Sequence, residues 1–244
     1  MNQFEGLVLQ SQEYKENDAI VHVLGADRIL SVYARGVQKQ TSKNRRIILP
    51  FSLVKLIVDH KEQREMDLLI KGELIEYFYK VQDSLLGQSL CFVCNDLLMR
   101  TKILPYYQSL MLALYRSIEN KSQDMYSYVC FLIASILKEE GLAPEVDCCV
   151  IDQQTSRIET FSIEEGGFLC SECNGNRYPK WKKSELIKIR SLFKAQPKDM
   201  DYLFSKHQYD LEDVLLLLRW YERHTQIELS SVRFLKSIHT MERA

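Results

Sequence analysis

Ile20-Val21-His22-Val23-Leu24-Gly25-Ala26-Asp27-Arg28-Ile29-Leu30-Ser31-Val32-Tyr33-Ala34-Arg35-Gly36-Val37 is the stretch that decides the fold. Its two halves are rich in β-branched and aromatic residues, and Gly25-Ala26-Asp27-Arg28 supplies a hairpin turn between them. Val21 and Val23 alternate with His22 and Leu24. Ile29, Ser31, Tyr33 and Arg35 alternate with Leu30, Val32 and Ala34. A period of two with one wetter face is the pattern of a half-buried strand.

Working outward, Gly6–Gln10, Leu53–Val58 and Met66–Ile70 are further short apolar runs. With Ile20–Leu24 and Ile29–Val37 they make five strands and no intervening helix before residue 80. A five-stranded OB-fold barrel is the common solution for such a set. The period then changes. Leu85, Leu86, Leu90, Val93, Leu97 and Leu98 recur at helical steps, Pro105 opens a second helix, and Val129, Ile133, Ile136 and Leu137 mark a third that stops at Gly141. Residues 142–179 read as a loop-rich insertion, and helices resume over Ser184–Phe193 and Leu211–Arg223. The expectation is an α+β chain: an OB-fold domain over 1–80, then a helical domain over 81–244 with 142–179 inserted in it.

Composition bounds the chemistry. At 46% apolar and 27% charged the chain is of ordinary globular type, and its net charge of −1 excludes a uniformly basic coat, so charge has to be read locally. From Arg28 to Arg46 there are six basic residues and no acidic one. Gly36 to Arg46 reads as a long polar hairpin loop, with Arg35, Lys39, Lys43, Arg45 and Arg46 placed to meet phosphates and Tyr33 to stack on a base. The competing reading is a solvated charged loop. A second basic run, Arg177, Lys180, Lys182, Lys183, Lys188, Arg190, Lys194 and Lys198, has only Glu185 against it. It follows an insertion with nine acidic and two basic residues between Lys138 and Cys173, so a solvated helix surface beside acidic chain is favoured there. Two basic segments would also let one chain neutralise two strands and anneal them.

Gly166-Gly167-Phe168-Leu169-Cys170-Ser171-Glu172-Cys173 has the form of half a zinc ribbon. The other half belongs roughly 15–20 residues away. There the chain has Cys148-Cys149-Val150-Ile151-Asp152, with 17 residues between Asp152 and Cys170. Cys149, Asp152, Cys170 and Cys173 would make a Cys₃Asp structural zinc site, with Cys148 as a substitute ligand; the alternative is a metal-free knuckle held by packing. Cys91, Cys94 and Cys130 sit in apolar helical pattern and read as core. No signal-peptide pattern opens the sequence and no apolar run approaches a membrane span, so a soluble protein of a reducing compartment is expected. His22, His60, His207, His224 and His239 are scattered, and no glycine-rich phosphate loop occurs, so no catalytic constellation is legible.

Four stretches together resemble the RecO family of bacterial recombination mediators. They are Glu5-Gly6-Leu7-Val8-Leu9 with Tyr14-Lys15-Glu16-Asn17-Asp18, then Ala34-Arg35-Gly36-Val37 with Leu49-Pro50-Phe51-Ser52. The third is the Gly166–Cys173 knuckle, and the fourth Tyr221-Glu222-Arg223-His224 with Ser231-Val232-Arg233-Phe234-Leu235. The resemblance implies an N-terminal OB-fold, a helical domain and an embedded zinc-finger-like element. It implies a cytoplasmic, nucleoid-associated, non-enzymatic DNA repair mediator that binds single- and double-stranded DNA and anneals complementary strands. It further implies assistance to RecA on strands coated by the single-strand-binding protein (SSB). The implied partners are RecR and the acidic tail of SSB, the latter in a groove of the helical domain. The family's DNA-binding loop falls on Arg35, Lys39, Lys43, Arg45 and Arg46. Zinc-binding members have cysteine where this chain has Asp152. An RNA-binding OB adaptor and a protein scaffold are the rival readings.

Overall fold

The computed structural model describes residues 2–61 and 63–242. The chain divides into two compact units, residues 1–125 with 231–244, and residues 126–230.

The first unit opens with a closed barrel of strand order β1-β2-β3-β5-β4. The strands are β1 (Asn2–Tyr14), β2 (Asp18–Leu24), β3 (Ile29–Ala34), β4 (Ser52–Asp59) and β5 (Asp67–Tyr77). All neighbours are antiparallel except β3 and β5. The expected OB-fold barrel is therefore present. Four strands are longer than the apolar runs suggested, β1 and β5 most of all, and β3 is shorter, ending at Ala34 and not at Val37. β1 pairs with β4 through Asn2–Leu7 and with β2 through Leu7–Tyr14, with a bulge between Val8 and Gln10 that lets it serve both sides. Its exposed outer half, Gln10 to Tyr14, carries little apolar signal.

The alternation read from the opening stretch is the inside–outside alternation of the barrel. Val21, Val23, Leu30, Val32 and Ala34 are buried with Val8, Val54, Leu56 and Val58 in one core. Leu24, placed on the wetter face by the pattern, is also fully buried. Each such side chain contributes about 1.5–3 kcal/mol by leaving water. Beyond the barrel, α1 (Tyr79–Asp83), α2 (Leu85–Leu98) and α3 (Tyr107–Glu119) belong to the same unit. Phe51 and Phe78, both fully buried, pack their rings against Phe92 and Tyr115 of these helices. Asn95 on α2 donates to the Leu9 carbonyl at 2.8 Å, which satisfies a strand oxygen where the barrel meets the helix. Cys91 and Cys94 are buried as core residues, and burial pushes their thiols far up.

The second unit contains nearly all of α4 (Asp124–Glu139), the hairpin β6 (Ile158–Ser162) and β7 (Gly167–Cys170), and the short α5 (Ser171–Asn174). Then follow α6 (Lys183–Lys194), α7 (Met200–Lys206) and α8 (Leu211–Thr225); α9 (Ser230–Glu242) returns to the first unit. An aromatic cluster of Phe161, Phe168, Trp181 and Trp220 ties the hairpin to the helices, and Trp220 Nε1 donates to the Leu142 carbonyl at 2.8 Å. No described helix is long and apolar enough to cross a membrane.

Candidate nucleic-acid interface and metal cluster

The basic segment is not the hairpin loop its sequence suggested. β3 and β4 are not neighbours in the barrel, so residues 35–51 form a crossover connection. Nor is it loose at its ends. Val37 and Ile47 are buried and anchor it in the barrel core. Ile47 lies in a 3-10 turn, Arg45–Ile48, and packs against Gly72 of β5 so closely that a Cβ there would come within 2.5 Å of Ile47 Cδ1. Asn44 Oδ1 accepts from the Gly72 N–H at 3.4 Å. Lys39, Lys43, Arg45 and Arg46 between the two anchors, and Arg35 just before the first, are all exposed, and among the described residues none of them is ion-paired. Exposed cations without an ion pair on one connection are what phosphate binding by counterion release requires, although Arg35 also feels the nearby Asp18 carboxylate.

Asp18, a residue that the charge pattern does not mark, organises the start of this connection. Its Oδ1 accepts from the Gly36 N–H at 2.7 Å, and its Oδ2 accepts from the Tyr33 hydroxyl. The Tyr33 hydroxyl and the Gly36 N–H hold the Asp18 carboxyl below its ordinary value, and the same bond raises the Tyr33 phenol. Gln38 completes the junction, donating its N–H to the Asn17 carbonyl at 3.0 Å. Tyr33 is therefore half-buried, held at its hydroxyl and open at its ring edge to Tyr14.

The broken ribbon folds as a ribbon. Gly166 and Gly167 have φ of +92° and +151°, and a Cβ on Gly167 would lie 2.2 Å from the Glu145 carbonyl oxygen, so the turn admits no side chain there. The turn feeds β7, which delivers Cys170 as the N-cap of α5, where its Sγ accepts from the Cys173 N–H at 3.4 Å. Cys149, Asp152, Cys170 and Cys173 converge with their ligand atoms all within 4.8 Å of one another. Cys149 and Cys170 are buried, and Asp152 is exposed. Cys148 lies outside this group, and burial with the nearby Glu145 carboxylate pushes its thiol up.

The electrostatics suit a cation. Burial raises the Cys149 thiol, but the backbone N–H groups of Cys170, Asp152 and Ile151 outweigh it and hold the thiol below its ordinary value. Bonds from the Cys149 thiol and the Gln154 N–H bring the Asp152 carboxyl down to about 2. Burial, with hydrogen bonds to Asp152, Cys170 and Cys149, raises the Cys173 thiol. A tetrahedral zinc with ligand distances of about 2.0–2.3 Å fits three sulfurs and one oxygen at this spacing. These four residues can hold a structural metal, and it would crosslink the loop before β6 to the β7–α5 corner.

The second basic segment is arranged differently. Arg177 pairs with Glu165 at 2.6 Å, Lys180 with Glu159 at 2.8 Å and Lys188 with Asp213 at 2.6 Å. Arg190 and Lys194 both reach Asp147 at 2.7 Å. Four of these five pairs are to acids of the 142–179 stretch, and two of them, from Arg190 and Lys194 to Asp147, tie α6 to it. Val146, Phe168, Trp181 and Leu186 line a cavity of about 460 Å³ there, together with Lys183 and the paired Arg190 and Asp147.

Fold and site together define an OB-fold protein with a helical second unit carrying a zinc-ribbon-like metal cluster. Residues 1–78 match the family described as "Recombination protein O N terminal". The chain is similar to "DNA repair protein RecO" of Bacillus pumilus (strain SAFR-032), 25% identical with 98% of this chain and 95% of the relative covered. It is similar to the protein of the same name from Bacillus subtilis (strain 168), 24% identical over 98% and 95%. The Listeria monocytogenes serotype 4b (strain F2365) relative is 27% identical over 79% and 77%. The family match over residues 1–78 and the likeness to these proteins over nearly the whole chain agree with the resemblance that its four motifs carry.

Proposed function

We propose that this chain is a DNA repair and recombination mediator that works by binding and not by catalysis. The single observation that carries the reading is the barrel connection with five exposed cations, Arg35, Lys39, Lys43, Arg45 and Arg46, beside Tyr33, none of them ion-paired among the described residues. The names of the relatives support the repair role. The barrel, residues 1–80, is the nucleic-acid-binding domain, and residues 81–244, with 142–179 inserted, carry the partner contacts. Single strands bind by phosphate contacts and base stacking without sequence preference. Duplex DNA binds through phosphates alone. The chain anneals complementary strands and assists RecA on SSB-coated DNA, with RecR and the SSB tail as partners in the cytoplasm, at the nucleoid.

The cavity beside the ribbon supports a seat for that tail, because its apolar lining with the Lys183 ammonium suits an acidic peptide with an apolar end, Arg190 there being already paired with Asp147. The deciding experiment is annealing of complementary oligonucleotides coated by SSB, with and without this chain. Faster annealing with the chain is expected, as is no cleavage in magnesium. Unchanged annealing would overturn the reading, and a strong preference for RNA in competition with matched DNA would overturn it in favour of an RNA adaptor.

A further inference from the structure

The β1–β2 turn, Lys15-Glu16-Asn17, lies against the start of the basic connection. Three bonds lock the two together: Gly36 N–H to Asp18 Oδ1 at 2.7 Å, Gln38 N–H to the Asn17 carbonyl at 3.0 Å, and Gln38 Nε2 to the Asp18 carbonyl at 3.3 Å. A strand that follows the cations toward Arg35 therefore arrives at this turn. What it meets there is Tyr14, at the end of β1 and 42% exposed. The ring stands edge-on to Tyr33, with centroids 5.9 Å apart and planes at 88°. Lys15 holds its ammonium 5.2 Å from the Tyr14 centroid and 5.9 Å from that of Tyr33.

Tyr14 keeps 42% of its surface exposed beside Tyr33, with the Lys15 ammonium over its ring. Tyr33 is fixed by Asp18, and Lys15 is a flexible cation resting on the ring faces. A base can take the place of the ammonium on Tyr14, because base–aromatic stacking is stronger than an exposed cation–π contact. The displaced ammonium then has a phosphate of the same nucleotide within reach. A paired base in a duplex offers no free face, so only unpaired nucleotides can use such a platform.

We propose that Tyr14, Lys15 and Tyr33 form a stacking platform for one unpaired base, continuous with the basic connection, and that it adds affinity for single strands that duplex cannot use. This rests on the nucleic-acid reading of the connection and adds to it the feature that separates the two DNA forms.

The test compares the full-length chain with Tyr14→Ala, Tyr14→Phe and Lys15→Gln on a labelled single-stranded oligonucleotide and its duplex across a salt series. Tyr14→Ala is expected to weaken single-strand binding on the order of tenfold. It should leave duplex binding and the salt slope unchanged, and Tyr14→Phe should bind as the parent does. Lys15→Gln is expected to lower the single-strand slope by about 0.7, one phosphate contact. Equal single-strand affinity of the parent and Tyr14→Ala overturns the platform and leaves the connection standing. Equal loss on strand and duplex also overturns it. A parent that binds neither DNA form overturns the connection and the platform together. Should Tyr14→Ala fold poorly, Tyr14→Trp supplies a fluorescence signal: quenching by the single strand and not by duplex supports the platform, and no quenching overturns it.

Discussion

Residues 35–46 and residues 177–198 are both basic runs, with five cations in the first and eight against one acid in the second. On charge counts alone the second is the stronger candidate for DNA. The fold reverses the ranking. In the second run, Arg177, Lys180, Lys188, Arg190 and Lys194 each face a carboxylate at 2.6–2.8 Å. In the first, the cations stand on a connection whose buried residues, Val37 and Ile47, hold it open to solvent. A paired cation must be stripped from its partner before it can meet a phosphate, and an exposed unpaired one releases only bulk counterions. For the proposed annealing through both runs, Lys182, Lys183 and Lys198 are the exposed cations of the second run with no ion pair among the described residues.

The comparison is broken or sharpened most by removing the cations of each run. Changing Arg35, Lys39, Lys43, Arg45 and Arg46 together to Ala is expected to weaken oligonucleotide binding at least ~100-fold at low salt. The salt slope on single strands should fall by up to about 3.5, at ~0.7 per phosphate contact. The matching change of Arg177, Lys180, Arg190 and Lys194 should leave affinity within about threefold, as these are mostly exposed pairs worth ~0–1 kcal/mol each to the fold. Fluorescence anisotropy across salt checks both; an equal loss from the two sets would erase the distinction.

Next in size is Lys188, whose pair with Asp213 is 19% and 12% exposed. Lys188→Ala should cost about 2 kcal/mol at neutral pH, read by urea unfolding, because it leaves a desolvated carboxylate without its cation. Burial already holds the Asp213 carboxyl above its ordinary value, against the pull of Lys188 and the Asp210 N–H. The native state thus binds its proton more tightly than the unfolded chain does, so this group's contribution falls as pH rises from the ordinary carboxylate range near ~4. Without Lys188 the native value rises further. The deficit of the variant should therefore shrink as pH is lowered toward that range.

The ribbon comes third. Purified protein is expected to carry zinc, and Cys170→Ser to lose it and lower the melting temperature of residues 126–230 without weakening oligonucleotide binding through the barrel. Metal analysis and calorimetry check this; a folded protein with no metal would show that packing replaced it. The smallest effect is expected at Asp18. Asp18→Asn should loosen the junction and weaken single-strand binding a few-fold. Since the native Asp18 value is depressed, its contribution is present above the ordinary carboxylate range and is lost as pH falls below it. A measurement of loop amide exchange at pH 7 and at low pH would show the same loosening in the parent.

Much of this was legible in the chain. The alternation from Ile20 to Val37 carries the barrel, since the side-chain period of a strand is the period of burial. The Cys-x-x-Asp and Cys-x-x-Cys spacing carries the metal cluster, because ribbon hairpins bring such pairs together at that separation. Asp18 and Tyr14 were not legible as site residues. Their partners lie 18 or 19 positions away across a strand pair, and a lone acid or tyrosine in a turn has no signature of its own.

The sequence by itself determined the fold class, the barrel strands, the ligand set of the ribbon and the location of both basic runs, because each is written in local period, spacing or charge. Only the tertiary structure decided that the first run is a crossover connection pinned at both ends, and that the second is neutralised by acids as far as 43 and 47 residues upstream. It also decided that Tyr14 stands beside Tyr33. The physical reason is common to all three. Charge and aromaticity belong to residues, but whether a cation is paired, or a ring exposed, depends on which distant carbonyls, carboxylates and side chains the fold brings within hydrogen-bonding or contact distance.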